Sequence, residues 1–434
     1  MKVAVIGYGI EGKSAVDYWL KRGAEVTVCK RTEVSDLPPG VGLRFGEGYL
    51  KGLDAFDVIS RTGSVHPNLI LGANTGVEAK ITTVINEFFR SSPTKNVIGV
   101  TGTKGKGTTS TLIYQMLKVA GKHVFLAGNI GSSPLDFIDE LTPDSWVVLE
   151  LSSYQLYDLK QSPHIGVCLT VVPEHLNWHG TMEDYVRSKS QLFAHQTDID
   201  IAIYFADNQA SHDIASTSPG AKIPYYAVPG AYVEDDTFLT IDDQQVCEVS
   251  EIKMVGKHNW QNACAAVTAF WQVLREIEPP RSVLLSFAGL PHRIEFVREV
   301  NGIRYFNDSF AANPSATEAA IEAVEGPKVL VLGGFDRMLP LEQFAQFIKS
   351  HEKELAGVLL VGQSAPRLAG ELEEAGFAHF KASSAATMPQ IVAEANELAR
   401  SGESILLSPG FPSFDMFKNF EDRGEQFKRE VMSL

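Results

Sequence analysis

The sequence predicts an α/β protein built on parallel sheets and divided into several domains. Short β-branched runs (Val3 to Ile6, Asn96 to Val100, Trp146 to Leu149, Val329 to Leu332, Ile405 to Leu407) alternate with helical patterns such as Gly12 to Arg22 and Thr108 to Ala120. That is the rhythm of strands whose faces are covered by crossover helices. The 434 residues, 44% hydrophobic and 21% charged, exceed what one core usually organises, so two or three domains are expected. Two breaks, Ser91-Ser92-Pro93-Thr94-Lys95 and the region around Pro291, precede new strand series and put domain boundaries near residues 93 and 297.

Charge and composition narrow the function. A formal net charge of -15 repels a phosphate backbone over most of the surface, so no nucleic-acid partner is expected and any anionic ligand must be held by local devices. The four cysteines, Cys29, Cys168, Cys247 and Cys264, are scattered without a CxxC pair and read as reduced thiols. Met1 leads straight into the first strand and no apolar run approaches membrane-spanning length, so a cytoplasmic protein without membrane insertion is expected.

Each element then carries its own chemistry. Gly7-Tyr8-Gly9-Ile10-Glu11-Gly12 follows the first strand in the form of a dinucleotide fingerprint, which alone predicts NAD. The second strand, however, ends Val28-Cys29-Lys30-Arg31, with cations where an acid should bond the adenosine ribose. The strand Asn96 to Val100 feeds Thr101-Gly102-Thr103-Lys104-Gly105-Lys106-Gly107-Thr108-Thr109 and then the amphipathic Ser110 to Val119. Such a turn aims free N–H groups and the positive end of a helix at phosphate oxygens, with Lys106 on the β- and γ-phosphates and Thr108 or Thr109 on magnesium. ATP is the cofactor this predicts; a plain glycine turn with a solvated lysine is the bland alternative. Thr181 followed by Asp184 signals a helix start and puts Lys189 on that helix. Asn259 and Asn262, three apart, fall on one helix face and can read a purine or its phosphates, although capping or packing explains either alone.

The phosphate loop resembles that of the Mur ligases and of folylpolyglutamate synthases. Further matches follow in order: Gly128-Asn129-Ile130-Gly131, Leu149 to Leu156, Glu174-His175-Leu176, Lys189, Gly256 to Asn262, Pro291-His292-Arg293, Asn307-Asp308-Ser309, Gly333 to Asp336 and Leu407-Ser408-Pro409. The closing stretch Ser413 to Gly424 is most similar to the glutamate-adding members. The resemblance implies an N-terminal Rossmann-like UDP-binding domain over residues 1–93 and a central P-loop ATPase-type domain over 94–297. A C-terminal Rossmann-like domain over 298–434 would bind the amino acid. It also implies an ATP- and Mg2+-dependent ligase joining glutamate to UDP-N-acetylmuramoyl-L-alanine; the acidic three-domain layout is compatible with a monomer.

Residue roles follow from the same resemblance. Glu150 and Thr108 would hold one magnesium and His175 a second, with Lys189 taking up carbon dioxide as a carbamate beside them. Arg293 would steady the phosphates and Asp308 the ribose. Gly9, Ile10, Glu11, Gly12, Lys30, Arg31, Arg61, Thr62, Gly63, Asn129, Ser152 and Gln155 would hold the UDP-sugar. Arg337, Ser413 and Phe420 would hold the amino acid. Without the flanking motifs Lys189 would read as an exposed helix lysine, and Lys30, Arg31 and Arg61 serve equally as solvated surface.

The pattern departs in places. Asp308-Ser309 is followed by Phe310-Ala311-Ala312 where the family has lysine, alanine and threonine, and Arg337 replaces a lysine while keeping its charge in a bidentate fork. Arg61-Thr62-Gly63 stands where Ser-Pro-Gly is common. Three rivals are a folylpolyglutamate-type ligase, an NAD-dependent oxidoreductase and a non-catalytic nucleotide-binding partner. The complete domain ahead of the phosphate loop, Lys30, and the joint presence of Lys106, Glu150, His175 and Lys189 oppose them in turn.

Overall fold

The computed structural model describes every residue except Val255 and Leu339. Two compact units emerge: Met1–Glu251 with His258–Leu285, and Ile252–Lys257 with Ser286–Leu434.

The first unit holds two parallel sheets. One runs, in spatial order, Gly42–Phe45, Glu25–Lys30, Lys2–Ile6, Val58–Arg61, Ile81–Thr83. Val3 and Val5 pack into one buried cluster and Ala4 and Ile6 into another, so a continuous apolar run serves a strand covered on both faces. The winding reverses beside Lys2–Ile6, which opens a crevice at the strand's carboxyl end. The second sheet runs Ala221–Tyr225, Ile201–Phe205, Ile165–Cys168, Val97–Thr101, Trp146–Glu150, Val124–Gly128. The break near residue 93 separates these sheets, yet they share one buried cluster that reaches from Val3 to Phe193 and Ala215.

An antiparallel meander, Tyr232–Glu234, Phe238–Ile241 and Gln244–Glu248, follows the second sheet. The second unit is a six-stranded sheet in the order Glu295–Val300, Ile303–Asn307, Ser404–Leu407, Lys328–Gly333, Leu355–Val361, Phe380–Ala382. Only the edge strand Glu295–Val300 is antiparallel, and residue 297 lies within it. Leu330 and Leu332 face one helix layer, Val329 and Val331 the other. All four cysteines are free and buried, and among the described residues no helix is long and apolar enough to cross a membrane.

Candidate functional site

The strand Val97–Thr101 delivers the chain into a turn that only glycine fits at two points. Gly102 takes φ 144° and a Cβ there would stand 2.7 Å from that of Leu169; Gly105 takes φ 85° and its Cβ would meet Asn262 Oδ1 at 2.2 Å. The helix Lys106–Val119 starts on Gly105 without a side-chain cap, leaving its amino end to whatever the loop encloses. Thr103 is fixed by bonds of 3.0 Å to the Val172 carbonyl and the Tyr185 hydroxyl. Lys104 is exposed and Thr108 partly open, whereas Gly107 and Thr109 are buried. The Thr109 hydroxyl donates to Asn262 Oδ1 at 3.5 Å, and Asn262 Nδ2 to Asn259 Oδ1 at 2.9 Å. Of the two threonines expected near magnesium, Thr108 is therefore the accessible one.

Two ammonium groups converge on this loop. Lys106 Nζ donates to the carbonyls of Gly102 at 3.1 Å and Thr103 at 2.9 Å, and Lys189 Nζ donates to the same Gly102 carbonyl at 2.7 Å. Lys189 is 1% exposed and lies 4.5 Å over the Tyr185 ring, so the exposed-lysine reading fails. Burial first, then the Lys106 charge, pull its pKa down to about 7, against opposing effects of Cys168 and Glu174. Its helix, Met182–Ala194, does begin on a Thr181 cap that accepts the Asp184 N–H. The Asp184 carboxylate is directed elsewhere, to His179 at 3.3 Å and to Arg187, rather than back to the cap.

Glu150 ends its strand 2% exposed. One carboxylate oxygen accepts from Asn129 Nδ2 at 2.9 Å and the other has no partner. A buried, orphaned carboxylate oxygen is costly unless a cation completes it, and a hard oxygen is what magnesium takes. Among the described residues no cluster of three His, Cys, Asp or Glu side chains is poised for a metal, so Glu150 and Thr108 fit one only alongside phosphate and water oxygens. His175 sits at φ 57°, with Nε2 3.6 Å from Glu174. Burial lowers its pKa, partly opposed by Glu174, which favours the neutral ring a metal ligand needs.

In the crevice of the first sheet, Gly7 takes φ 93° and a Cβ on Gly12 would strike the Gly7 carbonyl at 2.3 Å, so strand and helix Ile10–Lys21 meet through glycine. Gly9 caps that helix without a side chain and Ile10 is exposed. Glu11 accepts from the Gly63 N–H at 2.8 Å and from Gln155 Nε2 at 2.7 Å. Ser152 and Gln155 form a capping box on Ser153–Leu156. Lys30 is half-buried, and Arg31 pairs with Glu47 at 3.1 Å on the open surface.

Arg61 requires a correction. Its side chain is fully buried; Nε donates to Asp158 at 2.8 Å and Nη2 at 2.5 Å, and further bonds run to the carbonyls of Thr62, Val65 and Tyr154. The guanidinium is a structural tie between the two sheets and offers no donor to uridine. Thr62 is likewise buried, bonded to Ser64 at 3.2 Å.

In the second unit Asp308 is buried, accepting from the Ser408 hydroxyl at 2.6 Å and the Ile294 N–H at 3.2 Å. Burial raises its pKa to about 7. Arg293 lies 3.9 Å over the Phe310 ring, which meets Phe420 edge-on at 5.0 Å. Phe310 thus fills the family's lysine position with an aromatic link between two expected site residues. Phe420 opens the helix Phe420–Ser433, Ser413 is buried nearby in sequence, and Arg337 is exposed. Sequence reading missed Asp158 and His179, and it gave Ser408 only as part of the Leu407-Ser408-Pro409 match, with no role. Asp158 carries no local signal, whereas His179, four residues after His175, bonds Ser153 at 2.9 Å and closes an aromatic cluster with Tyr154, Tyr157 and Trp178.

Fold and loop together define an α/β protein with a phosphate loop in its central sheet. The sequence pattern of the Mur ligase middle domain matches residues 100–270, and that of the Mur ligase glutamate ligase domain matches 292–411. UDP-N-acetylmuramoylalanine--D-glutamate ligase of Clostridium kluyveri is 36% identical, covering 100% of this chain and 97% of its own; that of Clostridium tetani is 35% identical with the same coverage. The chain belongs to the Mur ligase family. Its fold is also that of MurC from Thermotoga maritima, with TM-score 0.61 at 17% identity over 100% of this chain and 99% of that one. MurF from Thermotoga maritima in complex with ADP gives TM-score 0.58 at 18% identity over 99% and 95%.

Proposed function

We propose that this chain is an ATP-dependent ligase that joins D-glutamate to UDP-N-acetylmuramoyl-L-alanine in peptidoglycan precursor synthesis. Full-length identity of 34% to 36% to relatives bearing that activity in their names supports the reaction. The observation that carries the reading is the convergence of Lys106 and Lys189 on the Gly102 carbonyl, beside a helix amino end.

The acceptor carboxylate attacks the γ-phosphorus of ATP, forming an acyl phosphate and releasing ADP. The glutamate amine then attacks the acyl carbon, the amide forms, and phosphate leaves with loss of the amine proton. Lys106 exchanges its loop carbonyls for the β- and γ-phosphate oxygens, lowering the cost of bringing anions together. Magnesium would supply charge neutralisation, held by Thr108 and Glu150 and, at a second position, by His175. The neutral Lys189 amine would add to carbon dioxide, forming the N–C bond and releasing a proton to solvent, and the resulting carbamate anion would help hold the second metal position. Asn259 and Asn262 hold the nucleotide in the first unit; Arg293 and Asp308 keep, in the second, the phosphate and ribose roles that the resemblance implies. The first-sheet crevice holds the UDP-sugar, and Arg337, Ser413 and the Phe420 N–H hold glutamate; a helix amino end favours that side-chain carboxylate.

Three domains would divide these tasks in a cytoplasmic monomer, with the first boundary near residue 93 and the second ahead of the strand Glu295–Val300 rather than at 297. An NAD-dependent reaction is disfavoured by Lys30 at the ribose position. The test is Lys106→Ala: phosphate release with ATP, acceptor and glutamate should vanish in a folded chain, and unchanged turnover rejects the assignment.

A further inference from the structure

The carboxylate of Glu11 stands within the crevice proposed to receive the acceptor's diphosphate. It belongs to the first turn of Ile10–Lys21, a helix whose cap, Gly9, has no side chain, so an anion is favoured there. Its two oxygens nevertheless reach across the crevice, one to the Gly63 N–H at 2.8 Å and the other to Gln155 Nε2 at 2.7 Å. Gln155 Oε1 in turn accepts from the Ser152 N–H at 3.0 Å and hydroxyl at 3.1 Å. The junction is tight: a Cβ on Gly63 would stand 3.4 Å from Gln155 Cγ and Tyr154 Cβ and 3.5 Å from the Glu11 carboxylate. Glu11 therefore binds together Gly63, Gln155 and Ser152, three residues assigned to the UDP-sugar.

A carboxylate accepts hydrogen bonds and repels phosphate; it cannot be a diphosphate ligand. We propose that Glu11 is a specificity-determining residue that acts as an internal anion. The diphosphate must take the Gly63 N–H from it, and only a ligand whose sugar hydroxyl or amide donors then satisfy the freed carboxylate recovers the loss. UDP alone carries the diphosphate without the hydroxyl and amide donors of the amino sugar beyond it and is discriminated against. The inference rests on the crevice being the UDP-sugar site.

Glu11→Ala and Glu11→Gln in the full chain test it. Calorimetry with UDP should give binding about tenfold tighter in both variants than in wild type, the scale of one charge-assisted hydrogen bond exchanged. The KM for UDP-N-acetylmuramoyl-L-alanine in the phosphate-release assay should improve far less. UDP affinity that is equal or weaker overturns the proposal, as does an equal gain for the complete acceptor. A wild-type chain that releases no phosphate with the acceptor defeats the ligase reading instead, while the UDP calorimetry still judges Glu11.

Discussion

In bicarbonate near neutral pH, Lys189 should load with carbon dioxide while ordinary lysines do not. Burial and the neighbouring Lys106 hold its pKa at about 7, against the 10.5 of an ordinary lysine. At pH 7 about half of the Lys189 amine is then neutral, whereas a free lysine is neutral in roughly one part in 3,000. Carbamate forms only from the neutral amine, so the advantage is about a thousandfold. The assay is 13C NMR in labelled bicarbonate, with Lys189→Ala as the blank. A carbamate resonance should develop with a half-point near pH 7, and Lys106→Met should move that point upward because it removes the charge that opposes protonation. The linked stability has a definite sign. Between about 7 and 10.5 the unfolded chain binds the extra proton, so the unmodified protein gains up to about 1.4 kcal/mol per pH unit on going up this window, and the penalty is complete below it. A spectrum matching the blank from about pH 6 to 9 would refute the reasoning.

Arg61→Ala should destabilise the first unit by about 3–5 kcal/mol in denaturant titrations, because it strands Asp158 and several carbonyls; a loss under about 1 kcal/mol would return Arg61 to the ligand-binding residues. Arg337→Ala should raise the KM for glutamate tenfold or more through loss of a charged contact of about 1.5–3 kcal/mol, with the fold intact. An unaltered KM would move the pocket elsewhere. Asp308, raised from 3.8 to about 7, lets the folded chain hold a proton the unfolded chain has lost, so stability should fall as pH rises through that window. Asp308→Asn should flatten this slope in pH-dependent denaturation, and identical slopes would contradict the burial argument.

What the sequence made legible was local. A strand, two obligatory glycines and a helix start announce the phosphate loop within a few residues, and the unbroken apolar run Val3 to Ile6 fits a strand covered on both faces. What it hid depends on distant partners. Arg61 looks like an exposed cation until Asp158, 97 residues away, is seen against it. Lys189 reads as surface by composition, and only the packing of Tyr185 and the Gly102 turn makes it a buried amine. The meander from Tyr232 to Glu248 escaped notice because its strands are short and joined by Asp-rich turns. Glu11 was visible as a letter in the glycine fingerprint, but its grip on Gly63 and Gln155 was not.

The central claim is tested most directly by phosphate release from the purified chain with ATP, magnesium and UDP-N-acetylmuramoyl-L-alanine, offered D-glutamate and L-glutamate in turn. Release that requires the acceptor and D-glutamate, with the amide product formed in equal amount, is the predicted result. Release that ignores both, or none with any amino acid, would contradict the account.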